Sequence, residues 1–387
     1  MRTSTARAAA SVGLLVCLLV PGCNAKPADQ AGGQPMLGHV TDSTGFVPRG
    51  SPDSGFENVT GIALGAGGQV AIADGAESVI YLFGSDGSAR GVIGRKGSGP
   101  GEFIALCCIG LAPDGALWTS DAATRRYSVF ALGESGGTFL RAVQMPSNPS
   151  GRYDRLAWTS TGQLIHIASS FDSITGSVGL RHDVLDSAGG VITSEAVPEP
   201  PADSLSVVTI KSGSASGYGA ATFMAPFGAA SLHAFGPGDA QAHAVSSVYR
   251  VRLVRPGWGD TVVGRALTPP PVNDQERAEG EQLLDQIAKR VGRTRAGLGL
   301  EVPRTKPPLC NLGFDLDGRL WVELCQASGQ PRAADVYEST GKFLGTWQWP
   351  RNVRLSLWAI TGEEALGVAT DSLGVQRVQR VRFQPTP

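Results

Sequence analysis

A short turn motif recurs along the chain at a constant spacing, and this repetition limits the folds that the chain can adopt. The turn glycines Gly68, Gly115 and Gly162 follow one another at intervals of 47 residues, and each precedes an apolar run. Glycine accepts the positive φ that a tight strand reversal requires, so each turn predicts a β-hairpin. A chain that repeats one such unit forms a single array rather than several unrelated domains.

Each repeat contains a second turn signal, at Asp86-Gly87, Gly136-Gly137 and Asp186–Gly189. Two hairpin turns per repeat imply four antiparallel strands, which is the content of one blade of a β-propeller. The composition agrees, because glycine accounts for 52 of the 387 residues, roughly twice its ordinary usage. The sequence therefore predicts an all-β propeller.

One segment carries a specific family resemblance. Gly94–Phe103, together with the following strand Ala116–Asp121, resembles an NHL repeat. The chain from about residue 40 to 385 resembles bacterial six-bladed propeller lipoproteins related to NHL proteins, with Asp42–Gly45 and Gly318–Trp321 as further matching places. The resemblance implies a six-bladed β-propeller of four-stranded antiparallel blades. Gly94–Gly101 lacks the Gly-Lys-Ser/Thr ending of a phosphate loop, so we interpret it as a connection between blades.

The later repeats are also predicted, but their turns depart from the 47-residue spacing. The fourth blade is predicted to use Ala220–Phe227, Ser231–Phe235 and the strands that follow, and the fifth and sixth occupy the chain after residue 310. The sixth blade ends one strand short at the C-terminus. We expect Gly45–Arg49, with or without Met36–Thr41, to supply its outer strand, because this closure removes two exposed sheet edges.

Two insertions interrupt the predicted blades. Pro198–Gly219 is rich in proline, serine and glycine and is predicted to be a loop. Residues 268–308, between blades four and five, contain a short predicted helix over 274–290, with Asn273 as N-cap and Glu276 completing a capping box. The apolar residues of this helix share one face, so the helix is expected to pack on another part of the chain. Two interpretations stay open: a lid near the central channel, or a helix that only covers blade edges.

The N-terminus has the pattern of a secretory signal peptide over residues 1–22, in which Arg2 and Arg7 precede a short apolar run. Val20–Cys23 resembles a bacterial lipobox, although Pro21 departs from the usual pattern, and this implies lipidation of Cys23. An ordinary leader with Cys23 as an unmodified thiol is the alternative. Residues 23–35 would form a flexible tether and residues 36–387 the propeller. The expected protein is an exported lipoprotein of the cell envelope, on the outer membrane if the cell has one.

The cysteines suggest one disulfide. If Asp317-Gly318 is a two-residue hairpin loop, Cys310 and Cys325 face each other across two strands. Facing strand residues have Cα atoms about 4.5 to 5.5 Å apart, which a disulfide accommodates. For the adjacent Cys107 and Cys108, free thiols and a vicinal disulfide both stay open.

Candidate ligand-binding residues were sought at the starts of the inner strands, which line one mouth of a propeller channel. The candidates on this channel face are Glu57, Asn58, Arg152, Asp154, Arg155, Asn311 and Arg354. Propeller lactonases hold calcium through several oxygen ligands, and the carboxylates and amides in this set are few for an ion that prefers six or more. No catalytic residue or metal ligand is predicted, and His166, His182 and His233 are interpreted as structural.

These observations favour a membrane-tethered, non-catalytic binding or scaffold module for a protein, peptide or glycan, without a cofactor and monomeric. The alternative is a calcium-assisted propeller hydrolase, lactonase or lyase. The charge is balanced, with 33 basic and 34 acidic residues and no basic stripe, which argues against a nucleic-acid partner. The ligand is expected on the face where Gly94–Phe103 and the long insertions lie, because function on such a scaffold resides in its loops.

Overall fold

The computed structural model describes residues 35–46, 55–65, 67–150, 155–171, 178–214, 217–257 and 259–386. Within these ranges the protein is all-β, with a propeller-like arrangement of sheets and few helices. No helix in these ranges is long and apolar enough to cross a membrane. The predicted signal peptide, the tether, Cys23, Arg152 and Asp154 lie outside the described residues.

The strands follow one another in chain order. The N-terminal strand and the first two sheets comprise β1 (Met36–Phe46), β2 (Val59–Leu64), β3 (Val70–Asp74), β4 (Val79–Phe83), β5 (Ala89–Ile93), β6 (Leu106–Leu111), β7 (Leu117–Asp121), β8 (Arg126–Gly133) and β9 (Gly136–Gln144). Next come β10 (Ala157–Trp158), β11 (Leu164–Phe171), β12 (Val178–Leu185), β13 (Val191–Ala196), β14 (Val207–Ser214), β15 (Gly217–Met224), β16 (Ser231–Phe235), β17 (Gln241–Val245), β18 (Val251–Arg255) and β19 (Gly259–Val263). The helices α1 (Asp274–Arg290) and α2 (Arg295–Leu298) precede β20 (Leu309–Phe314), β21 (Leu320–Leu324), β22 (Arg332–Tyr337), β23 (Phe343–Trp349), β24 (Val353–Thr361), β25 (Glu364–Thr370) and β26 (Gln376–Pro385).

Four sheets are separate four-stranded antiparallel sheets, β2–β5, β6–β9, β10–β13 and β16–β19. The sequence predicts six such units, and the structure instead joins the remaining eight blade strands in one sheet, in the order β20-β21-β22-β23-β1-β26-β25-β24. The junction is β1, which pairs parallel with β23 at Met36 and Trp347 and antiparallel with β26, with Val40 opposite Val381. The predicted closure by the N-terminal segment is therefore confirmed for Met36–Phe46.

The hydrophobic core lies between neighbouring sheets rather than at one central place. Phe46 from β1 contacts Phe83 of the first sheet edge-on, with ring centroids 5.4 Å apart, and both side chains are buried. The innermost strands approach one another closely around a common centre. Gly61 of β2 makes this possible, because a Cβ there would lie 3.0 Å from the Ile109 side chain of β6.

Two aspartates, at the same place in the repeat, each hold together the first two strands of their own sheet. The buried carboxylate of Asp74 accepts hydrogen bonds from the backbone N–H groups of Glu57 and Asn58, at 2.8 and 3.2 Å. Asp121, 47 positions later, accepts equivalent bonds from Ile104 and Ala105. Each carboxylate thus ties the start of an innermost strand to the end of the second strand.

In the β20–β21 hairpin a disulfide joins the start of the innermost strand to the end of the second strand. Cys310 and Cys325 are bonded, with their Cα atoms 5.0 Å apart. The predicted two-residue loop is wrong, because Phe314 pairs with Leu320 and leaves a five-residue turn. The pairing is irregular at Cys310, between the pairs Leu309–Leu324 and Asn311–Glu323, so the two cysteines are bonded although they are not direct partners in the register. Cys107 and Cys108 are also joined, at a bulge in β6.

Two predictions between the blades need correction. The expected loop Pro198–Gly219 contains β14 and, with β15, forms a separate two-stranded hairpin. Ala220–Met224 therefore belongs to that hairpin and not to the fourth blade, whose first strand is β16 and whose second is β17. Local composition was misleading, because serine and glycine also suit a hairpin that has a helix to pack on.

The helix α1 is confirmed at the predicted position. The Asn273 side chain accepts a hydrogen bond from the Glu276 N–H at 2.8 Å, and the Glu276 carboxylate accepts from the Asn273 N–H at 3.1 Å. The buried side of α1, which includes Leu284, packs with residues of the β14–β15 hairpin and with Leu298–Val302. The two insertions therefore share a small core of their own, which neither interpretation of the helix anticipated.

Candidate functional site

A cavity of about 380 Å³ lies where the innermost strands of the sheets converge. Each of the six innermost strands contributes at least one residue to its wall. These strands are β2, β6, β10, β16, β20 and β24, and most of the lining comes from their C-terminal ends and the turns that follow. Arg155 and Leu156, which directly precede the short strand β10, also line the cavity. The volume is in the range of small-ligand pockets. We call this cavity the central pocket.

The wall of the central pocket is mainly apolar and aromatic. Leu64, Leu111, Trp158, Phe235, Phe314 and Trp358 all line it. Trp358 is held in place because its Nε1 donates a hydrogen bond to the Ile62 carbonyl at 3.0 Å. Trp158 lies against Gly110, where a Cβ would come within 2.5 Å of its ring. The two half-buried indoles therefore have fixed positions.

Arg155 is the basic residue of the central pocket. Its guanidinium donates to the Phe314 carbonyl at 3.4 Å and lies over the Trp358 ring, with Cζ 5.8 Å from the ring centroid. These contacts stretch from the third sheet to the β20 and β24 strands. A guanidinium over an aromatic ring gains cation–π stabilisation, and its planar fork suits carboxylate ligands.

Asp315 is the acidic residue of the central pocket, and its carboxylate is hydrogen-bonded to neighbouring side chains. Its carboxylate accepts hydrogen bonds from Arg319 Nε at 2.6 Å and Trp321 Nε1 at 2.9 Å. Burial raises the pKa of this carboxyl above its ordinary value, against the opposing effect of those donors. Asp315 therefore organises the turn after β20 and does not act as an accessible base.

Two grooves open from the central pocket on the face that carries the turn between the first and second strands of each sheet. We call this face the hairpin-turn face. The first, of about 860 Å³, runs between the first and second sheets and shares Leu64, Leu111 and Pro113 with the pocket. The second, of about 420 Å³, runs between the first sheet and β24–β26 and shares Leu64 and Leu316 with the pocket. The cavities on this face thus form one connected, open surface.

The structure places the predicted candidates at two ends of the channel. Arg155 lines the central pocket, whereas Glu57, Asn58, Asn311 and Arg354 lie at the starts of the innermost strands, at the opposite end. Arg354 donates to the Val59 carbonyl at 3.3 Å, and the Asn311 side chain accepts from the Leu312 N–H at 2.9 Å. Among the described residues, no cluster of three or more His, Cys, Asp and Glu side chains is arranged to hold a metal ion.

The buried histidines are bound to neighbouring side chains. His166 shares hydrogen bonds with the Tyr127 hydroxyl at 2.7 Å and the Ser147 hydroxyl at 3.1 Å. The Nδ1 atoms of His233 and His243 lie 2.8 Å apart. Burial lowers the pKa of His166 below its ordinary value and that of His243 to about 4. These contacts agree with the structural role predicted for His166 and His233.

The apolar ring of the central pocket had a sequence signal that the search for polar candidates missed. Leu64, Leu111 and Trp158 are separated by 47 residues, and each stands four positions before a turn glycine. Phe314 and Trp358 stand four positions before Gly318 and Gly362. The last residue to face the channel before each first turn is therefore apolar in every one of these units.

The fold has counterparts among solved structures. No model of a known protein family matches the chain, and no curated protein is significantly similar in sequence. An exported protein from Bacteroides fragilis is 12% identical with a TM-score of 0.51, over 90% of this chain and 96% of that one. A gluconolactonase from Xanthomonas campestris is 11% identical with a TM-score of 0.43, over 92% and 97% of the two chains. A virginiamycin B lyase from Staphylococcus aureus is 12% identical with a TM-score of 0.39, over 91% and 88%. At these identities the likeness shows the fold alone.

Proposed function

We propose that this protein is an exported, non-catalytic binding module whose ligand enters the central pocket from the hairpin-turn face. The observation that carries the proposal is the pocket itself. Six innermost strands contribute to one concave wall, and Trp158, Trp358 and Arg155 stand in it together. Apolar pockets with a few fixed polar groups are the usual form of a ligand site.

We further propose that the ring has six blades and that the protein is attached to the cell envelope. The two halves of the eight-stranded sheet, β20–β23 and β24–β26 with β1, each have the four-stranded content of a blade, so we count six blades in the ring. The lipobox-like Val20–Cys23 supports a lipid anchor at Cys23, followed by a tether, on a monomeric protein of the cell envelope. An anchored propeller of this kind suits the capture of a protein, peptide or glycan beside the membrane.

The site proposed here differs from the one that the sequence favoured. Sequence reasoning placed the ligand beside Gly94–Phe103 and the insertions, at the starts of the innermost strands. The connected cavities lie at the other end of those strands, and α1 packs within its own small core. Because the wide concave surface is on the hairpin-turn face, we assign the ligand to that face.

Site-specific photo-crosslinking tests this assignment. A photoreactive residue replaces Leu316, an exposed leucine that lines both the central pocket and the adjoining groove. The matched control replaces Leu373, which is 88% exposed and lies in the turn after the second strand of its blade, on the opposite face. We expect crosslinked products in whole cells from position 316 only. Equal products from both positions, or none from position 316, would overturn the proposal.

A calcium-assisted hydrolase, lactonase or lyase remains the second candidate. The observation that favours it is the exposure of Glu57, Asn58 and Asn311, whose oxygen atoms lie at the other mouth of the channel. Hard cations prefer such ligands. Metal analysis of the purified protein, with Glu57→Gln as the comparison, tests this candidate. Stoichiometric calcium that is lost in the variant, together with lactone hydrolysis that a chelator abolishes, would favour the enzyme over the binding module.

A further inference from the structure

We infer that the ligand group that fills the central pocket is one large, uncharged apolar side chain of a polypeptide. This inference rests on the proposed binding function and adds the chemistry of the ligand, because it selects a protein or peptide over a glycan. It follows from the hydrogen bonds that the polar residues of the wall already make and from the fixed positions of the aromatic residues beside them.

The two charged residues of the wall have opposite signs, and both are bound within the protein. Although a guanidinium can bind a carboxylate, that of Arg155 already contacts a backbone carbonyl and an indole ring of other strands, and these are not its only interactions. Each oxygen of Asp315 accepts two hydrogen bonds, from backbone N–H groups and from the side chains of Arg319 and Trp321. A charged ligand group would therefore lose its water without gaining a free partner of opposite charge, which is unfavourable.

The hydroxyl groups of the wall are also bonded within the protein. The Thr159 hydroxyl accepts a hydrogen bond from the Gln163 N–H at 3.1 Å and lies 2.9 Å from the Thr161 hydroxyl. The Ser160 hydroxyl donates to the Asp239 carboxylate, which also accepts from the Ser160 N–H at 3.0 Å. A sugar ring presents several hydroxyl groups that need partners when they are buried. The wall therefore disfavours a glycan.

One polar side-chain atom of the wall has no partner in the protein. The indole N–H of Trp158 has no acceptor among the described residues and is open to solvent, whereas that of Trp358 is bonded to the Ile62 carbonyl. A polypeptide has a carbonyl acceptor beside each of its side chains. A bound segment can therefore accept this one hydrogen bond while its side chain fills the pocket.

The aromatic residues of the wall are held in place in the same way at two positions. The ring of Trp158 lies against Gly110, and the ring of Phe314 lies against Gly236, where a Cβ would come within 2.4 Å. In each pair the glycine lies in or directly after one innermost strand, and the ring belongs to the next one. A wall that is fixed before binding reduces the entropy lost on association, and apolar anchors in such pockets dominate the affinity of many interfaces.

The side chain that fills the pocket comes from another molecule. Residues 24–35, which connect the proposed anchor to β1, include no aromatic residue and no Leu, Ile, Val or Met. This segment of the chain therefore cannot supply a large apolar side chain. The pocket, at about 380 Å³, lies at the lower end of the range of ligand sites, which suits a single side chain. The two grooves that open from it leave room for the polypeptide on either side.

Selection from a displayed library of random peptides tests the inference, with the folded propeller as the target. We expect the enriched peptides to share one aromatic or large aliphatic residue, and their binding to persist as salt rises, because no ion pair holds them. Replacing that residue with alanine in a synthetic enriched peptide, or Trp158 with alanine in the protein, should weaken binding at least about tenfold.

Leu316→Asp and Leu373→Asp are the matched protein variants. Both leucines are exposed, so both variants should fold, and thermal unfolding checks this. Leu316 lines the central pocket, where a new carboxylate beside the apolar side chain should weaken the peptide about tenfold. Leu373 lies on the opposite face, so its variant should bind the peptide as the wild type does.

The outcomes separate this inference from the proposed function. Enriched peptides without a shared apolar residue, peptides that high salt releases, or peptides that bind Leu316→Asp as well as the wild type overturn the apolar side chain. If no peptide is enriched but position 316 still crosslinks to a partner in cells, the binding function stands and the inference fails. A glycan as the crosslinked partner has the same meaning. If position 316 crosslinks to nothing and no peptide binds, both fail.

Discussion

Asp121 accepts a hydrogen bond from the backbone N–H of Ile104 at 2.8 Å, across a gap of 17 residues between the start of the second blade and the end of its second strand. The same carboxylate accepts from the backbone N–H groups of Ala123 and Thr124, both at 3.0 Å. A single buried side chain therefore accepts hydrogen bonds from the segment before the first strand of the blade and from the turn after its second strand. The repeat of this arrangement at Asp74 explains why aspartate recurs at these positions.

Asp121→Ala should lower the free energy of unfolding by about 2 kcal/mol, because four partly buried backbone N–H groups lose their acceptor. Urea unfolding followed by circular dichroism measures the change. The control is Asp114→Ala, an exposed turn residue that accepts from the Ala116 N–H at 3.0 Å and should cost less than about 1 kcal/mol. Equal losses in the two variants would contradict a structural role for Asp121.

The two disulfides should differ in their effect on stability. Cys310 and Cys325 close a loop with a sequence separation of 15, so replacing both with serine should cost about 3 kcal/mol by the chain-entropy estimate. Cys107 and Cys108 are adjacent and close almost no loop, so the corresponding double variant should change stability much less. Mass spectrometry of the alkylated protein first establishes which bonds are present. A larger loss from the Cys107 and Cys108 pair would contradict this account.

Gly110→Ala should disturb the central pocket as well as the fold. The added Cβ would lie 2.5 Å from the Trp158 ring, so the indole must move, at a cost of about 1 to 3 kcal/mol. We expect a changed emission spectrum, with Trp158 more accessible to acrylamide quenching. Gly133→Ala is the control, because its Cβ would meet its nearest atom at 3.6 Å. An unchanged spectrum in Gly110→Ala would show that Trp158 does not occupy this position.

Stability should fall as the pH is lowered from about 6.5 towards 4. Burial is the main cause that lowers the pKa of His243 to about 4, with smaller contributions from Arg252 and His182 and an opposing one from Asp260. The unfolded chain therefore binds a proton at a pH where the folded protein does not, and protonation favours unfolding. The contribution of His243 is present above pH 6.5 and is on the order of 2 kcal/mol.

The variant His243→Gln separates the contribution of His243 to the pH dependence of stability from the contribution of carboxyl groups. We expect the difference in melting temperature between the wild type and His243→Gln to change between pH 6.5 and 4. Above pH 7 that difference should stay constant. A difference that stays constant over the whole range would show that His243 does not carry this dependence.

Deleting residues up to Phe46 should expose the edges of β23 and β26 and cause aggregation. In the intact protein β1 pairs with both strands, and Met36 and Phe46 are buried. Unpaired strand edges template association between molecules. Light scattering of this truncation is compared with a protein that begins at Pro35, which retains β1. A soluble truncation of equal stability would contradict closure by β1.

The repeat carried enough information to predict most of the blades. Turn glycines such as Gly68 and Gly115, with the runs that follow them, located paired strands correctly, because positive φ and strand alternation are local properties of the chain. The same reasoning failed at Ala220–Met224, where an apolar run forms the β14–β15 hairpin instead of a blade strand. Local pattern cannot distinguish two hairpins that differ only in what they pack against.

The sequence by itself determined the all-β repeat, the capped helix α1 and the supply of a last strand by the N-terminal segment, since each depends on short-range pattern or on a strand count. Only the tertiary structure decided that β1 joins β20–β23 and β24–β26 into one sheet and that Asp315 is paired with Arg319. It also placed the central pocket and its two grooves on the hairpin-turn face. Arg155, Arg380 and Trp358 are distant in sequence, and their shared surface exists only because the ring brings the innermost strands to one centre.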